Sequence, residues 1–322
     1  MDHPSPLTRE PNERFWGLLK ETVGRAVIGI EQPLRLLTVS LLAGGHALID
    51  DVPGVGKTLL ANAFTRATGL QFSRVQGTPD LLPSDITGSS VLDRNEFRFV
   101  PGPVFTNVLL ADEINRATPR TQAALLEAMQ EGQVSIDGQI RPLPEPFMVV
   151  ATENPVEFEG TFPLPEAQRD RFLVRIELGY PSEEDERSIA RRYREAPDPL
   201  EYVTPVLELA DVLGLRDAAR RVAVSDEVER YVVALVRATR SLPELRLGAS
   251  PRSAVALYRA SQASALIAGR RFVLPDDVAA IAPAVLGHRL VLGLDAELRG
   301  RSTAELVTSV IQDVPLPLGL TV

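Results

Sequence analysis

Three short stretches of this chain carry residue types that could together bind and cleave a polyphosphate. The first is VPGVGKT, Val52 to Thr58. Gly54 and Gly56 permit a backbone that turns amide groups inward, making an anion nest at the start of the following helix. Lys57 has the reach for β- and γ-phosphates, and the Thr58 hydroxyl can ligate Mg²⁺. Pro53, Gly54, Val55, Gly56, Lys57, Thr58 and Leu59 are therefore the candidate nucleotide-binding residues. The full P-loop spacing asks for glycine where Asp51 stands, an acid that would repel phosphate unless its carboxylate points away. Arginine outnumbers lysine 32 to 2, yet Lys57 occupies the one position where this chemistry needs a lysine.

The second stretch is VLLADE, Val108 to Glu113, an apolar run ending in two acids. Asp112 suits the Mg²⁺ shell, and Glu113 suits a general base that polarises an attacking water. The third is VVATENP, Val149 to Pro155. If its strand lies between the other two, Asn154 projects near the γ-phosphate and could orient that water.

These residues need a sheet to hold them. Short β-type runs alternate with helical patterns from about His46 to Leu178: HALID (46–50), FSRV (72–75), TNVLLAD (106–112), FMVVAT (147–152) and FLVRIEL (172–178). Near-continuous apolar runs of this length, separated by helices, predict a five-stranded parallel sheet buried on both faces. A helix is expected from Lys57 to Thr68, stopped at Gly69, and another from Thr118-Pro119 to Gly132. Asp137-Gly138 predicts a hairpin turn within Gln133–Leu143, and Asp93 to Glu96 a second one. After Tyr180-Pro181 the pattern is helical, with expected helices at 200–213, 226–240, 251–268, 275–286 and 303–312. Ser302 and Glu305 form a capping box for the last. The reading is an α/β core over residues 1–200 and an all-α region over 201–322.

Composition bounds the rest. A net charge of −9 and pI near 5.1 do not suit a broad nucleic-acid or membrane-binding surface, so neither partner is expected. There is no cysteine, and the first residues lack the apolar run of a secretory signal, so a cytoplasmic protein is expected. The apolar stretch 34–49 is too short to span a bilayer. His3, His46 and His288 lack metal-ligand spacing.

The chain resembles the MoxR-type AAA+ ATPases. The resemblance rests on VPGVGKT, on ADEINRATPRTQAALLEAMQEGQVSIDG (111–138), on ATENPVEFEGTFPLPEAQRDRF (151–172) and on GASPR (248–252), and runs from about Val27 to Pro315. It implies an AAA+ P-loop αβα core with a C-terminal helical lid, ATP and Mg²⁺ as ligands, and a homo-oligomeric ring, expected as a hexamer. It implies that Asn154 is sensor 1, that Arg171 is an arginine finger offered to the neighbouring subunit's ATP, and that Arg252 is sensor 2. Arg169 competes with Arg171 for the finger role. The hairpin at 133–143 and the insert at 86–100 match elements that face a pore in related machines. The family's usual Gly-Gln pair near adenine is replaced by Val27-Ile28-Gly29-Ile30, leaving Val27 and Ile28 as apolar base contacts. The implied job is chaperone-like remodelling of client protein complexes, with a von Willebrand factor A domain partner. A magnesium-chelatase-like motor subunit, a nucleotide-gated scaffold with little hydrolysis and a DNA-acting motor are the rival readings.

Overall fold

A computed structural model describes residues 11–93, 96–154, 160–195 and 198–317. The central sheet consists of β1 (Ala47–Asp50), β2 (Phe72–Gln76), β5 (Val108–Asp112), β8 (Met148–Glu153) and β9 (Val174–Ile176). Its order is β2-β5-β8-β1-β9, all pairs parallel. Each expected strand is present, and β8 lies between β1 and β5, the position the argument about Asn154 required. The expected run 172–178 shortens to three paired residues: the Leu173 amide bonds the His46 carbonyl, just before β1, and the Leu178 amide leaves the ladder for the Asp51 carboxylate.

The sheet is covered on both sides, and strand alternation shows it. Ala47 and Ile49 of β1, with Val108 and Leu110 of β5, face one apolar cluster. Leu48, Leu109 and Ala111 face the other. Successive residues point to opposite faces, so continuous apolar strands are what a three-layer sandwich needs. The first layer contains α1 (Pro11–Gly24), α2 (Glu31–Ala43) and α3 (Lys57–Ala67); the opposite layer contains α4 (Pro83–Thr87) and α5 (Pro119–Glu131). The short α6 (Glu166–Arg169) precedes β9, and α7 (Glu183–Glu195) follows it.

Helix punctuation follows local chemistry. Thr118 caps α5 by accepting from the Thr121 amide, Pro119 occupies the first turn, and Gly132 at φ 61° ends the helix. Gly69 at φ 65° follows the end of α3. Two antiparallel hairpins leave the sheet: β3 (Gly88–Asp93) with β4 (Glu96–Pro101), and β6 (Gln133–Ile136) with β7 (Gln139–Pro142). Asp137 and Gly138 both have positive φ, the mirror-image turn that suits strand twist. The tip of the first hairpin, residues 94–95, lies outside the described residues. Arg141 of the second hairpin stacks 4.0 Å over Phe99 of the first, so the two are tied together.

The C-terminal region holds α8 (Leu209–Arg220), α9 (Asp226–Thr239), α10 (Pro251–Ile267), α11 (Pro275–Leu286), α12 (Leu294–Leu298) and α13 (Thr303–Asp313). A small antiparallel ribbon, β10 (Leu245–Leu247) with β11 (Val291–Leu292), crosses it. The Ser302–Glu305 capping box is formed. The helix expected at 200–213 is not one helix. A 3₁₀ turn spans Pro199–Tyr202, and α8 starts only at Leu209, after Pro205, where Glu208 and Asp211 make a fresh capping box. Proline disfavours a helical conformation for the residue before it, which separates the two. Not expected were α1, the short α4, α6 and α12, and α2, which overlaps the apolar stretch 34–49. α2 is apolar nearly all round because α3, α8, α10 and β9 surround it, so it lacks the one-sided stripe that marks a surface helix. No helix among the described residues is long and apolar enough to cross a membrane.

Candidate active site

The P-loop joins the end of β1 to the start of α3. Gly54 and Gly56 adopt φ 85° and 91°, left-handed conformations that a side chain would strain. Gly56 is the N-cap of α3 and no side chain caps that end, so its first amide groups are left to face an anion. The loop thus has the form an anion nest requires. Lys57 is folded inward, its Nζ donating to the backbone carbonyls of Glu153 (2.8 Å) and Asp51. Burial lowers its pKa, against the opposing pull of Asp51, Asp50, Asp112 and Glu113.

The two acids of VLLADE sit beside that helix start. The Thr58 hydroxyl donates to Asp112 Oδ2 at 3.1 Å, bringing the two expected Mg²⁺ ligands together. One carboxylate and one hydroxyl suit Mg²⁺, a hard cation that keeps waters and is completed by substrate phosphates. Asp112 also accepts from Thr152 Oγ1 (2.6 Å) and from Arg74 Nη2 (2.7 Å). Burial pushes its carboxyl up, but the hydrogen bonds from Thr152 and Arg74, the Arg74 charge and Thr58 hold it below the usual range.

Glu113 is in the left-handed region, φ 52° and ψ 48°. Such a conformation costs on the order of 1–3 kcal/mol in a non-glycine residue and persists only when its surroundings enforce it. Here the Glu113 amide donates to Thr152 Oγ1 at 2.8 Å, so a single hydroxyl fixes both acids. The Glu113 carboxylate is held by Gln76 Nε2 (2.9 Å) and Arg116 Nη1 (3.2 Å). Asn154 follows β8 at the same edge, is buried, and has its carbonyl bound by Asn115 Nδ2 at 3.2 Å.

Asp51 turns away from the loop. Its Oδ1 accepts from the Val52 amide (2.7 Å), and its Oδ2 from the amides of Leu178 (2.5 Å) and Gly179 (2.7 Å). The acid in the unexpected place is therefore an anchor between the P-loop and the segment after β9.

That segment walls a cavity of about 570 Å³ above the loop. Pro53, Gly54, Val55, Gly56 and Leu59 line its floor, and Val27 and Ile28 one side. The facing side comes from α7, with Ile189, Ala190 and Tyr193. An apolar slot beside an anion nest is what an adenine nucleotide requires, and the volume is within the usual range for ligand sites.

Of the three candidate arginines, Arg171 and Arg252 lie elsewhere. Arg171 sits at the start of β9, where the Leu173 amide bonds His46, the residue before β1. This is the end of the strands away from the P-loop, and the Arg171 guanidinium donates to the Leu126 carbonyl of α5 at 2.5 Å. Arg169 points to its own Glu153, at 3.6 Å. Burial raises the Glu153 pKa, and the Arg169 charge acts against that rise. Arg252 is exposed in the first turn of α10 and is not among the walls of the nucleotide cavity. Ser250, its N-cap neighbour, donates to Asp170 Oδ2 at 3.4 Å, so Arg252 stands with the Arg171 segment.

Several residues of the site were missed. Arg74 and Gln76 share one face of β2 at its carboxyl end, a polar period-two pair in a strand otherwise apolar enough to suggest burial. Thr152, the last residue of the apolar run before Glu153, carried no signal that sets it apart from an ordinary strand threonine. Gly77 donates its amide to the Asp112 carbonyl at 2.7 Å and packs against Glu113. Residues 155–159, part of the ATENPVEFEG motif, lie outside the described residues.

Known proteins share this fold. Residues 46–174 match the ATPase family associated with various cellular activities (AAA), and residues 237–310 match the AAA lid domain. The chain is 44% identical to the uncharacterized protein YeaC of Bacillus subtilis over 94% of this chain and 95% of that one. It is 45% identical to the chaperone MoxR1 of Mycobacterium tuberculosis, over 92% of this chain and 80% of the relative. A solved structure from Cytophaga hutchinsonii superposes with a TM-score of 0.87 at 39% identity, covering 94% of this chain and 96% of the other.

Proposed function

The chain belongs to the MoxR-type AAA+ ATPases, and on that premise we propose that it hydrolyses ATP to remodel or mature client protein complexes. The observation that carries the hydrolytic reading is the Thr152 hydroxyl, which binds Asp112 and the strained Glu113 backbone together. A site that only bound nucleotide would have no use for an acid held in a costly conformation beside the metal ligands.

Each side chain then has a task. The amides of Gly54 to Thr58 cradle the phosphates. Lys57 leaves the carbonyls of Asp51 and Glu153 to meet the phosphate charge, which is a stronger partner than either. Thr58 and Asp112 hold Mg²⁺, which when bound neutralises charge on the phosphate oxygens. Glu113 accepts the proton of the attacking water, and Asn154 orients that water. Val27 and Ile28 pack on the base. The core ends near residue 200 and the lid follows.

Arg171 lies a strand length from its own loop and so serves a neighbour, which requires a ring, here proposed as a cytoplasmic hexamer. An arginine supplied in trans contributes about 10³–10⁵ in rate. The exposed apolar residues Leu92 and Phe97 of one hairpin and Ile140 of the other suit a grip on client polypeptide. A von Willebrand factor A domain protein is the proposed partner.

Steady-state phosphate release tests the chemistry. Lys57→Ala should abolish nucleotide binding and turnover, and Glu113→Gln should abolish turnover while retaining ATP. Unchanged turnover in both would sink the assignment. Glu113→Gln also serves as a trap: a pull-down with it should recover the client and the partner domain.

A further inference from the structure

The lid grips the segment that carries Arg171. The buried guanidinium of Arg289, just beyond α11, pairs with Asp170 Oδ1 at 2.8 Å. It also donates to the carbonyls of Phe172 (2.6 Å), Leu173 (3.1 Å) and Val285. His288 Nε2 lies 3.0 Å from the same Phe172 carbonyl. Ser250 Oγ reaches the other oxygen of Asp170, and Arg246 pairs with Glu166 at 2.6 Å. Four lid residues therefore hold core residues 166, 170, 172 and 173, on both sides of Arg171.

The balance of these contacts matters. Arg246 and Glu166 are both exposed, so their pair contributes little. Arg289 is different. Burial lowers its pKa, Asp170 raises it, and the nearby positive charge of Arg252 lowers it again. A buried guanidinium with this many oriented acceptors has a single arrangement, because each N–H left unmatched would be costly. Guanidinium is planar and forked, and a lysine cannot reproduce the set. None of these groups lies in the nucleotide cavity of the same subunit.

We propose that Arg289 is a positioning residue for Arg171. Through Asp170 and the carbonyls of Phe172 and Leu173, the lid of one subunit sets the arginine that it presents to the nucleotide of the next. This rests on reading Arg171 as the trans-acting arginine. Arg252 belongs to the same unit, since Ser250 and Arg289 share Asp170.

Mixed assemblies test it. Arg289→Met should lower turnover by about tenfold or more, part of what a trans arginine supplies. Its affinity for a fluorescent ATP analogue should stay within about twofold of wild type, because the cavity is remote. Mixing Arg289→Met with Lys57→Ala should restore turnover: the first has an intact loop, the second an intact arginine. Arg171→Ala mixed with Lys57→Ala is the reference and should be restored in the same way. Restoration in the reference but not in the Arg289→Met mixture overturns the proposal. Absence of restoration in both overturns the trans reading of Arg171, and the proposal with it. Full turnover by Arg289→Met alone also overturns it. Should Arg289→Met fail to bind nucleotide at all, Asp170→Asn keeps the shape of the clamp. It should show the same pattern more weakly, and turnover like wild type would overturn the proposal.

Discussion

Gly77 lies against the main chain of Glu113, its amide bonded to the preceding carbonyl of Asp112 at 2.7 Å. A Cβ built on Gly77 falls 2.8 Å from the Glu113 carbonyl carbon and closer still to its oxygen. Neither backbone can yield without moving Glu113, the proposed general base. Gly77→Ala is therefore expected to lower kcat by about tenfold or more, a fraction of what general-base catalysis supplies. Nucleotide affinity should change little. Phosphate release and nucleotide titration separate the two, and an unchanged kcat would show that Glu113 tolerates the shift.

Thr152 ties the two acids through one hydroxyl. Thr152→Val keeps the shape and loses the bonds to Asp112 Oδ1 and the Glu113 amide. An orphaned amide costs about 1–3 kcal/mol, and Glu113 loses the contact that enforces its left-handed backbone. Turnover should fall, and half-maximal Mg²⁺ should rise; Thr152→Ser should recover both. A Mg²⁺ titration of turnover is the measurement.

Asp51 is expected to behave as an anchor. Asp51→Ala removes the acceptor for three amides and should destabilise the protein by about 2 kcal/mol, at the scale of hydrogen bonds to a charged group. ATP affinity should not improve, because the carboxylate faces Leu178 and Gly179 instead of the loop. Urea unfolding and nucleotide titration check these outcomes. A large gain in affinity would show that the charge does repel phosphate.

His46 makes stability fall with acid. Buried between the Val149 amide and the Met129 carbonyl, it is neutral, and burial lowers its pKa from 6.5 to about 4. The unfolded chain takes up the proton first as pH falls. Stability is thus fully present above pH 6.5 and is lost as pH drops toward 4, by about 3 kcal/mol for this group. His288, also lowered by burial, acts with the same sign. Thermal unfolding between pH 7 and 5 should show a shallower pH slope for His46→Gln than for wild type.

The chemistry was legible because it is local. A glycine-rich turn, a lysine and a threonine are adjacent in sequence, and an apolar strand ending in Asp112 and Glu113 announces itself by composition. The parallel sheet was legible for the same reason, since strands buried on both faces are apolar throughout. What stayed hidden was what long-range packing decides. Arg74, Gln76, Gly77 and Thr152 acquire roles only once β2, β5 and β8 lie side by side. α2 escaped notice because burial on all sides erased its periodicity.

Sequence alone thus proposed which residues could bind and cleave a phosphoanhydride, and determined that a parallel sheet would carry them. Tertiary structure decided where each points. It turned Asp51 toward Leu178, which made an apparent defect into an anchor. It put Arg171 at the end of the strands remote from its own loop, in a segment bound to the lid through Asp170 and its neighbours. Orientation and distance between segments far apart in the chain follow from packing, and no local pattern encodes them.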